Sequence, residues 1–434
     1  MDWGNAVGRV SLTHLFGSRL MATIQASGSR FESNFEVSDA EVSLDDVATQ
    51  GQGGGRRLGG GFSLDRNNVL TDLTAKSDFS YFITQNQTLR FGAQFTRYDG
   101  SFRQGQADSA RSEIAAESAY QTGYAELDLE WGRLQLTPGA RYSHFDSGDY
   151  ANLSPRVMGR FALSDRIGVK GGWGIYQQYL NLITVESFNY STDMWLPVDE
   201  TVAPGRAVHA SGGLTYTTDQ GWEADVEFYH KDMEDLVEFQ SQIRLDDSTP
   251  LSDLFLQGDG TSRGVEMLLR KTEGRTTGWI GYTLSKTEHT FPGLNGGRPF
   301  SPSYDRRNDL SIVAHRQLSG RWSANVNWVY GTGQAYTIPE SQYDVIQPSG
   351  EVTTYVHVSG KNAFRLPSYH RMDAAVTRGF KFGEHTGQLV LSVFNLYNRR
   401  NIWYRTFEVS EEEISVQDVL LQPILPSIGI RMGF

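Results

Sequence analysis

A side-chain period of two runs along this sequence from its first residues to its last. In YAELDLEW (124–131), Ala125, Leu127, Leu129 and Trp131 alternate with Tyr124, Glu126, Asp128 and Glu130. In LRFGAQF (89–95), Leu89, Phe91, Ala93 and Phe95 oppose Arg90, Gly92 and Gln94. GWEADVEF sets Trp222, Ala224, Val226 and Phe228 against Glu223, Asp225 and Glu227, and RWSANVNW sets Trp322, Ala324, Val326 and Trp328 against Ser323, Asn325 and Asn327. A helix would scatter these carboxylates around its axis, whereas a strand gathers them on one face. The chain closes on PSIGIRMGF (426–434), where Ile428, Ile430, Met432 and Phe434 alternate with Gly429, Arg431 and Gly433. Such strands give an all-β chain with one apolar and one polar face.

Alternation also suits a soluble sandwich, so the spacing of the turns decides. Short connections fall at 16–20, 84–88, 131–133, 163–167, 217–221, 271–275, 317–321 and 381–385. Long ones fall near 38–70, 99–117, 178–205, 232–260, 288–303, 334–366 and 405–422, with 146–153 intermediate. The two kinds alternate throughout. Short turns on one side and long loops on the other mark an outer-membrane barrel, an antiparallel up-and-down meander of about 17 strands. Many strands read as about 10 to 14 residues, near the 9 to 11 that a tilted membrane strand needs. An odd strand count points residues 5–16 and 423–434 the same way, so the two ends cannot close as an antiparallel pair. Two outcomes remain, an open or gapped wall or closure by one parallel pair between the two ends, and the open or gapped wall is the expected one.

Other classes are disfavoured by composition. No apolar run is long enough for a transmembrane helix. A net charge of −12 argues against nucleic acid as a partner. Without cysteine there is no disulfide or thiolate site. The nine histidines (14, 144, 209, 230, 289, 315, 357, 370 and 385) show no close metal-ligand spacing, so neither a metal nor a cofactor is expected. MDWGNAVGRV has no basic n-region or apolar h-region, so it does not read as a signal peptide.

Several strings together resemble the TonB-dependent receptors, the outer-membrane active transporters. They are NLSPRVMGRFALSDRIGVKGGWGIYQQ (152–178), SRGVEMLLRK (262–271), GWIGYTLSKT (278–287), YDRRNDLSIVAHRQLSGRW (304–322), VYGTGQAYTIP (329–339), LSVFNLYNRRN (391–401) and the closing PSIGIRMGF. The resemblance covers essentially the whole chain and implies one domain over 1–434, a partial transmembrane β-barrel. The family barrel has 22 strands around a plugged lumen. Here the plug, the TonB box and about the first five strands are missing from the pattern. By resemblance, the partners are outer-membrane lipid, TonB through the absent plug, the barrel-assembly machinery reading Phe434, and a surface lipoprotein. The function implied is uptake of a nutrient such as a siderophore, glycan or peptide across the cell outer membrane, with no bond chemistry. A plug-free porin-like or adhesin-like barrel is the alternative. An outer-membrane hydrolase is a further one, and no motif links a Ser nucleophile to a His.

Individual candidates follow. Glu126, Asp128, Glu130, Glu223, Asp225 and Glu227 read as a lumen-facing polar row, not as a catalytic acid pair, and Glu223, Asp225 and Glu227 should tolerate amide substitution. Trp131, Trp222, Trp322, Trp328 and Phe434 should face lipid. GQGGGRRLGGG (51–61) lacks the Lys-Ser/Thr of a phosphate loop and reads as an external loop. YDRR (304–307) reads as a rim anchor, and EVSEEEISVQD (408–418) as a solvated loop tip. Ligand contact is expected on loop 178–205, through Tyr179, Phe188, Tyr190 and Trp195 with Asp193 and Asp199. Variable loops on a rigid wall are where binding residues collect.

Overall fold

The chain reverses direction at one end through connections of two to four residues, and several of these turns hold a glycine with positive φ. Gly17, Gly132, Gly221, Gly274 and Gly383 occupy the left-handed region that disfavours a Cβ. Between such turns, alternating sequence pairs into strands. The structure, a computed structural model, describes residues 2–39, 62–106, 112–186, 191–239, 255–346, 352–358, 360–383, 385–409 and 414–433.

The wall begins with β1 (Asp2–Phe16), β2 (Leu20–Asp39), β3 (Phe62–Thr84), β4 (Gln87–Gln106), β5 (Ser112–Trp131), β6 (Leu134–Phe145), β7 (Tyr150–Ala162) and β8 (Ile167–Gln178). A loop hairpin follows, β9 (Leu180–Glu186) with β10 (Ser191–Pro197). The wall resumes with β11 (Gly205–Thr217), β12 (Trp222–Phe239), β13 (Phe255–Lys271), β14 (Thr276–Thr290), β15 (Asn308–Gln317) and β16 (Trp322–Gly331). Loop strands β17 (Ala335–Tyr336), β18 (Pro339–Ile346), β19 (Val352–Val358) and β20 (Phe364–Arg365) come next. Wall strands β21 (Tyr369–Phe382) and β22 (His385–Phe394), loop strands β23 (Ile402–Val409) and β24 (Ile414–Leu420), and wall strand β25 (Leu425–Gly433) end the chain.

Seventeen of these strands make one antiparallel sheet in which each pairs with the next wall strand, β8 joining β11, β16 joining β21 and β22 joining β25. Both β1 and β25 run toward the short-turn end, so they are parallel. Among the described residues, β1 pairs only with β2 and β25 only with β22. Among the described residues the sheet is thus an antiparallel wall whose outermost strands, β1 and β25, are exposed along their length and have no recorded pairing to each other.

Register separates two faces. One row runs Leu12, Ile24, Ser77, Ala93, Gly123, Tyr142, Leu153 through strands β1 to β7. Another runs Leu214, Val226, Met267, Tyr282, Leu310, Tyr330 through β11 to β16. These rows are largely apolar, and Leu12, Ile24, Leu153, Leu214 and Met267 are exposed. The opposite face carries ion pairs: Arg90–Asp128, Arg156–Glu126, Lys170 with Asp225 and Glu227, and Arg270–Glu223. Hairpin β9–β10 packs on this charged face, at Asn68 of β3 and Phe102 of β4, which makes it the concave, inner side. The wall must curve for one hairpin to contact β3 and β4 on one side and β12 on the other.

Strand length departs from the sequence reading. The segments 38–70, 99–117 and 232–260 read as loops, yet β2, β3, β4 and β5 reach 20 to 23 residues and β12 and β13 reach 18 and 17. At about 3.4 Å per residue and a tilt of about 45°, 20 residues rise roughly 48 Å, well over the hydrocarbon thickness of about 30 Å. The strands therefore continue well beyond a bilayer. There both faces meet water or other loops, so the apolar alternation that signals a membrane strand stops while backbone pairing goes on. The parity of short turns and long connections matches the sequence reading.

Candidate functional site: the loop-end vestibule

Among the described residues, three clusters of buried apolar side chains form, and all lie at the long-loop end. The first is built by hairpin β9–β10. In its register Ile183 faces Met194 and Asn181 faces Leu196, so these residues share one side of the hairpin. That side is buried with Val202 against Phe102 of β4 and Phe239 of β12. Two polar tethers fix its position. The Trp195 backbone N–H donates to Asn68 Oδ1 at 3.0 Å, and Gln257 Nε2 of β13 donates to the Ala203 carbonyl at 3.3 Å. The hairpin and the segment after it thus lie across the inner side of the wall, secured to strands eight positions apart in the sheet.

A second cluster forms the hairpin's base. The Phe145 ring, fully buried, stacks on Tyr179 with centroids 5.3 Å apart, and Val198 packs beside them. Asn152 Nδ2 donates to the Tyr179 hydroxyl at 3.0 Å, and burial pushes the Tyr179 phenol pKa up. The Val198 N–H donates to the Tyr179 carbonyl at 3.0 Å and closes the loop's neck. Asp199 folds the segment that follows. Its Oδ1 accepts from Thr201 N–H, Thr201 Oγ1 and Val202 N–H, while its carbonyl accepts from the Tyr150 hydroxyl.

The third cluster, Phe291, Leu294 and Phe300, packs against Leu236 and Leu256. Loop 360–366 is clasped onto it. Asn295 Oδ1 accepts from Lys361 N–H at 2.7 Å, and Lys361 Nζ donates to Glu238 at 2.8 Å from a largely buried position.

The expected ligand residues are therefore placed unequally. Tyr179 lies within a ring cluster, and Asp199 Oδ1 is engaged by its own turn. Trp195 is half-buried on the hairpin face opposite Ile183, and Asp193 is exposed. Phe188 and Tyr190 lie outside the described residues, as do Phe434 and the glycine-rich 51–61. The structure thus brings Tyr179, Trp195, Asp193 and Asp199 onto one loop without joining them into one pocket.

YDRR is a rim anchor in atomic detail. The Asp305 carboxylate is fully buried, accepts the Thr287 N–H at 2.8 Å and pairs with Arg365. Arg365 also donates to the carbonyls of Asp305 and Gly333 and to Ser301 Oγ. The NLYNRRN string works in the same way. Asn395 and Asn398 adopt positive φ, which asparagine tolerates. Asn395 binds Arg399 N–H and the carbonyls of Arg399 and Gln422. Asn398 accepts the Ile424 N–H, and Asn401 pairs with both backbone groups of His370. Three asparagines spaced by three stitch β21, β22 and the start of β25 together. Their spacing was visible in the sequence. The roles of Asn68, Phe102, Phe239 and Gln257 had no local signal, because their partners are distant in the chain.

Along the inner wall, Glu223 lies opposite Arg270 in register, and Asp225 and Glu227 flank Lys170. Glu126 and Asp128 pair with Arg156 and Arg90. Each of these carboxylates is matched to a cation, a structural zipper of cross-strand pairs. Among the described residues no group of three or more His, Asp or Glu is placed to hold a metal. Trp131, Trp222 and Trp322 sit exposed beside short turns, and Trp328 lies nearer the loop end, where its Nε1 donates to the Tyr397 hydroxyl at 3.2 Å.

Comparison with known proteins completes the picture. Residues 2–396 match the family described as TonB dependent receptor-like, beta-barrel. No curated protein matches the sequence. Among solved structures, the chain is similar to the ferric citrate transporter FecA in its unliganded form, at 12% identity and a TM-score of 0.62, covering 99% of this chain and 61% of FecA. It is similar to the siderophore receptor PirA from Acinetobacter baumannii (14% identity, TM-score 0.54, 92% of this chain and 67% of PirA). It is also similar to the outer membrane transporter YddB from Escherichia coli (11% identity, TM-score 0.61, 99% and 62%). The chain thus spans about three fifths to two thirds of the length of these structures. At such identities they speak for the fold, while the match across residues 2–396 speaks for descent: this chain belongs to the TonB-dependent receptor β-barrel family.

Proposed function

We propose that residues 1–434 are the barrel portion of an outer-membrane receptor that takes up a scarce nutrient with energy delivered by TonB. The observation that carries this reading is the β9–β10 hairpin, anchored across the inner wall at Asn68, Phe102, Phe239 and Gln257. A hairpin anchored in this way shapes the mouth of the wall, which suits a receptor that holds its ligand above a separate gate. In this reading the gate is a lumen domain that contacts TonB, and the chain itself performs no bond chemistry. Its apolar face meets outer-membrane lipid, and the barrel-assembly machinery reads Phe434 on the way there. In this reading a surface lipoprotein covers the loop end.

The ligand meets loop 178–205. Trp195 and Asp193 lie on it outside the buried ring cluster, and Tyr179 and Asp199 hold its base. FecA and PirA are a ferric citrate transporter and a siderophore receptor, which favours a ferric chelate over a glycan or peptide. The test is fluorescence titration of the detergent-solubilised chain with a ferric siderophore, an oligosaccharide and a short peptide. One class should give saturable quenching that Trp195→Phe reduces. Binding of none of them, together with free solute flux through liposomes carrying the chain, would overturn the receptor reading in favour of a passive pore.

A further inference from the structure

The apolar face is not uniformly bulky. Across β2 to β6 one register row reads Ile24, Ser77, Ala93, Gly123, Tyr142: large, three small, large. The next row toward the loops holds Ala75, Phe95 and Gln121. On the short-turn side, Phe79 and Phe91 stack with centroids 5.0 Å apart. Ile24, Phe95 and Tyr142 stand exposed as walls around a floor of Ser77, Ala93 and Gly123. A Cβ added at Gly123 would meet only the Gly92 carbonyl at 3.8 Å, so the space above the floor is open. The result is a depression of about 560 Å³. The corresponding row Leu214, Val226, Met267, Tyr282, Leu310, Tyr330 carries a large side chain at every position.

We propose that this depression is a binding site for one acyl chain of a membrane lipid. The proposal rests on the reading that the apolar face meets lipid. Its floor belongs to the same register rows as the rest of that face, so its surroundings are hydrocarbon. A concavity left empty there forfeits dispersion contacts on every lining atom. A flexible hydrocarbon tail restores them, and the volume falls within the roughly 300–1,000 Å³ of ordinary small-molecule sites. Gln121 and the Tyr142 hydroxyl give the site polar groups that can bond the ester oxygens of the lipid. A row of small residues can also admit a second protein copy, as helices use small residues for close approach in membranes. The experiment distinguishes these occupants.

The full chain is reconstituted in bilayers containing a phospholipid with a photoactivatable diazirine in its acyl chain, and adducts are mapped by mass spectrometry. Labelling at 75–77, 93–95 and 121–123 should exceed that at 226–228 and 267–269 several-fold. Ala93→Phe should abolish the excess and leave 226–228 and 267–269 unchanged, and Ser77→Leu serves if Ala93→Phe fails to fold. Even labelling that the filled variants do not alter would overturn the site. Crosslinks between two copies through β3 to β5, lost on filling, would overturn it in favour of self-association. Absence of labelling at 226–228 and 267–269 as well would refute the lipid-facing reading itself, and the site with it.

Discussion

At the short-turn end the chain reverses within two to four residues, and Phe16, Trp131, Trp222 and Trp322 stand exposed beside the turns. At the opposite end every connection except 107–111 and 146–149 runs much longer, and there Phe145, Met194, Val198 and Phe291 are almost wholly removed from solvent. The short-turn end is specified locally, by turn residues and pairing register. The loop end is specified by contacts between segments far apart in sequence, such as Asn68 with Trp195 and Glu238 with Lys361. One wall thus carries a rim that needs only its own strands and a rim that behaves as a small folded domain.

Large-to-small substitution should separate the two rims most strongly. Phe145→Ala removes a fully buried ring and should cost about 3–5 kcal/mol. Trp131→Ala, at an exposed site in detergent, should cost well under that, since little of its surface is removed from the surrounding medium. Denaturant unfolding in detergent measures both, and equal losses would erase the distinction. The wall between the rims comes next. Val226→Arg on the apolar face should cost about 2–4 kcal/mol if that position lies near the bilayer midplane. Unchanged stability in lipid would count against a lipid-facing assignment. Conversely, Glu227→Gln removes one of two anionic partners of Lys170 on the half-exposed inner wall and should cost no more than about 1 kcal/mol.

Smaller effects probe each rim's own chemistry. Gly17 has φ of 68° with nothing near its Cβ position, so Gly17→Ala isolates backbone strain and should cost about 1 kcal/mol. At the loop end, the Arg405 guanidinium holds the Asp418 carboxyl below its usual range. With the folded-state value depressed, the pair's contribution is complete above the unfolded pKa of about 3.9 and fades as pH falls through the lower folded value. Protease cleavage of the β23–β24 hairpin, followed by mass spectrometry, should therefore rise only under acid conditions. Asp418→Asn should remove that pH dependence.

The same contrast explains what the sequence could reveal. Strand polarity, the order of turns and the inner row of carboxylates follow from period-two patterning, which residues such as Ala125, Leu127 and Leu129 carry alone. The cations that neutralise this row were not assigned from sequence, since Lys170 and Asp225 are 55 residues apart. The long ends of β2 to β5 were missed because alternation lapses where no membrane imposes it. Loop 178–205 was legible as an aromatic, acidic segment. Its division into a buried base at Tyr179 and a more exposed upper face at Trp195 depends on Phe145 and Asn68, which no local pattern connects to it.

The central claim is that β1 and β25 are parallel, unpaired edges, so that an odd number of further strands is needed to complete an antiparallel wall. The cysteine-free sequence allows a direct test by paired cysteines in the reconstituted chain. Ser392→Cys with Ser427→Cys lies on directly opposite residues of β22 and β25 and should oxidise to a disulfide, which needs Cα atoms about 4.4–6.8 Å apart. Cysteines replacing Leu12 or Val10 of β1, each combined with one at Ile428 or Ile430 of β25, should give none under the same oxidation. Disulfides across β1 and β25 in yields matching the control pair would show that the two edges meet, and would contradict the gapped wall.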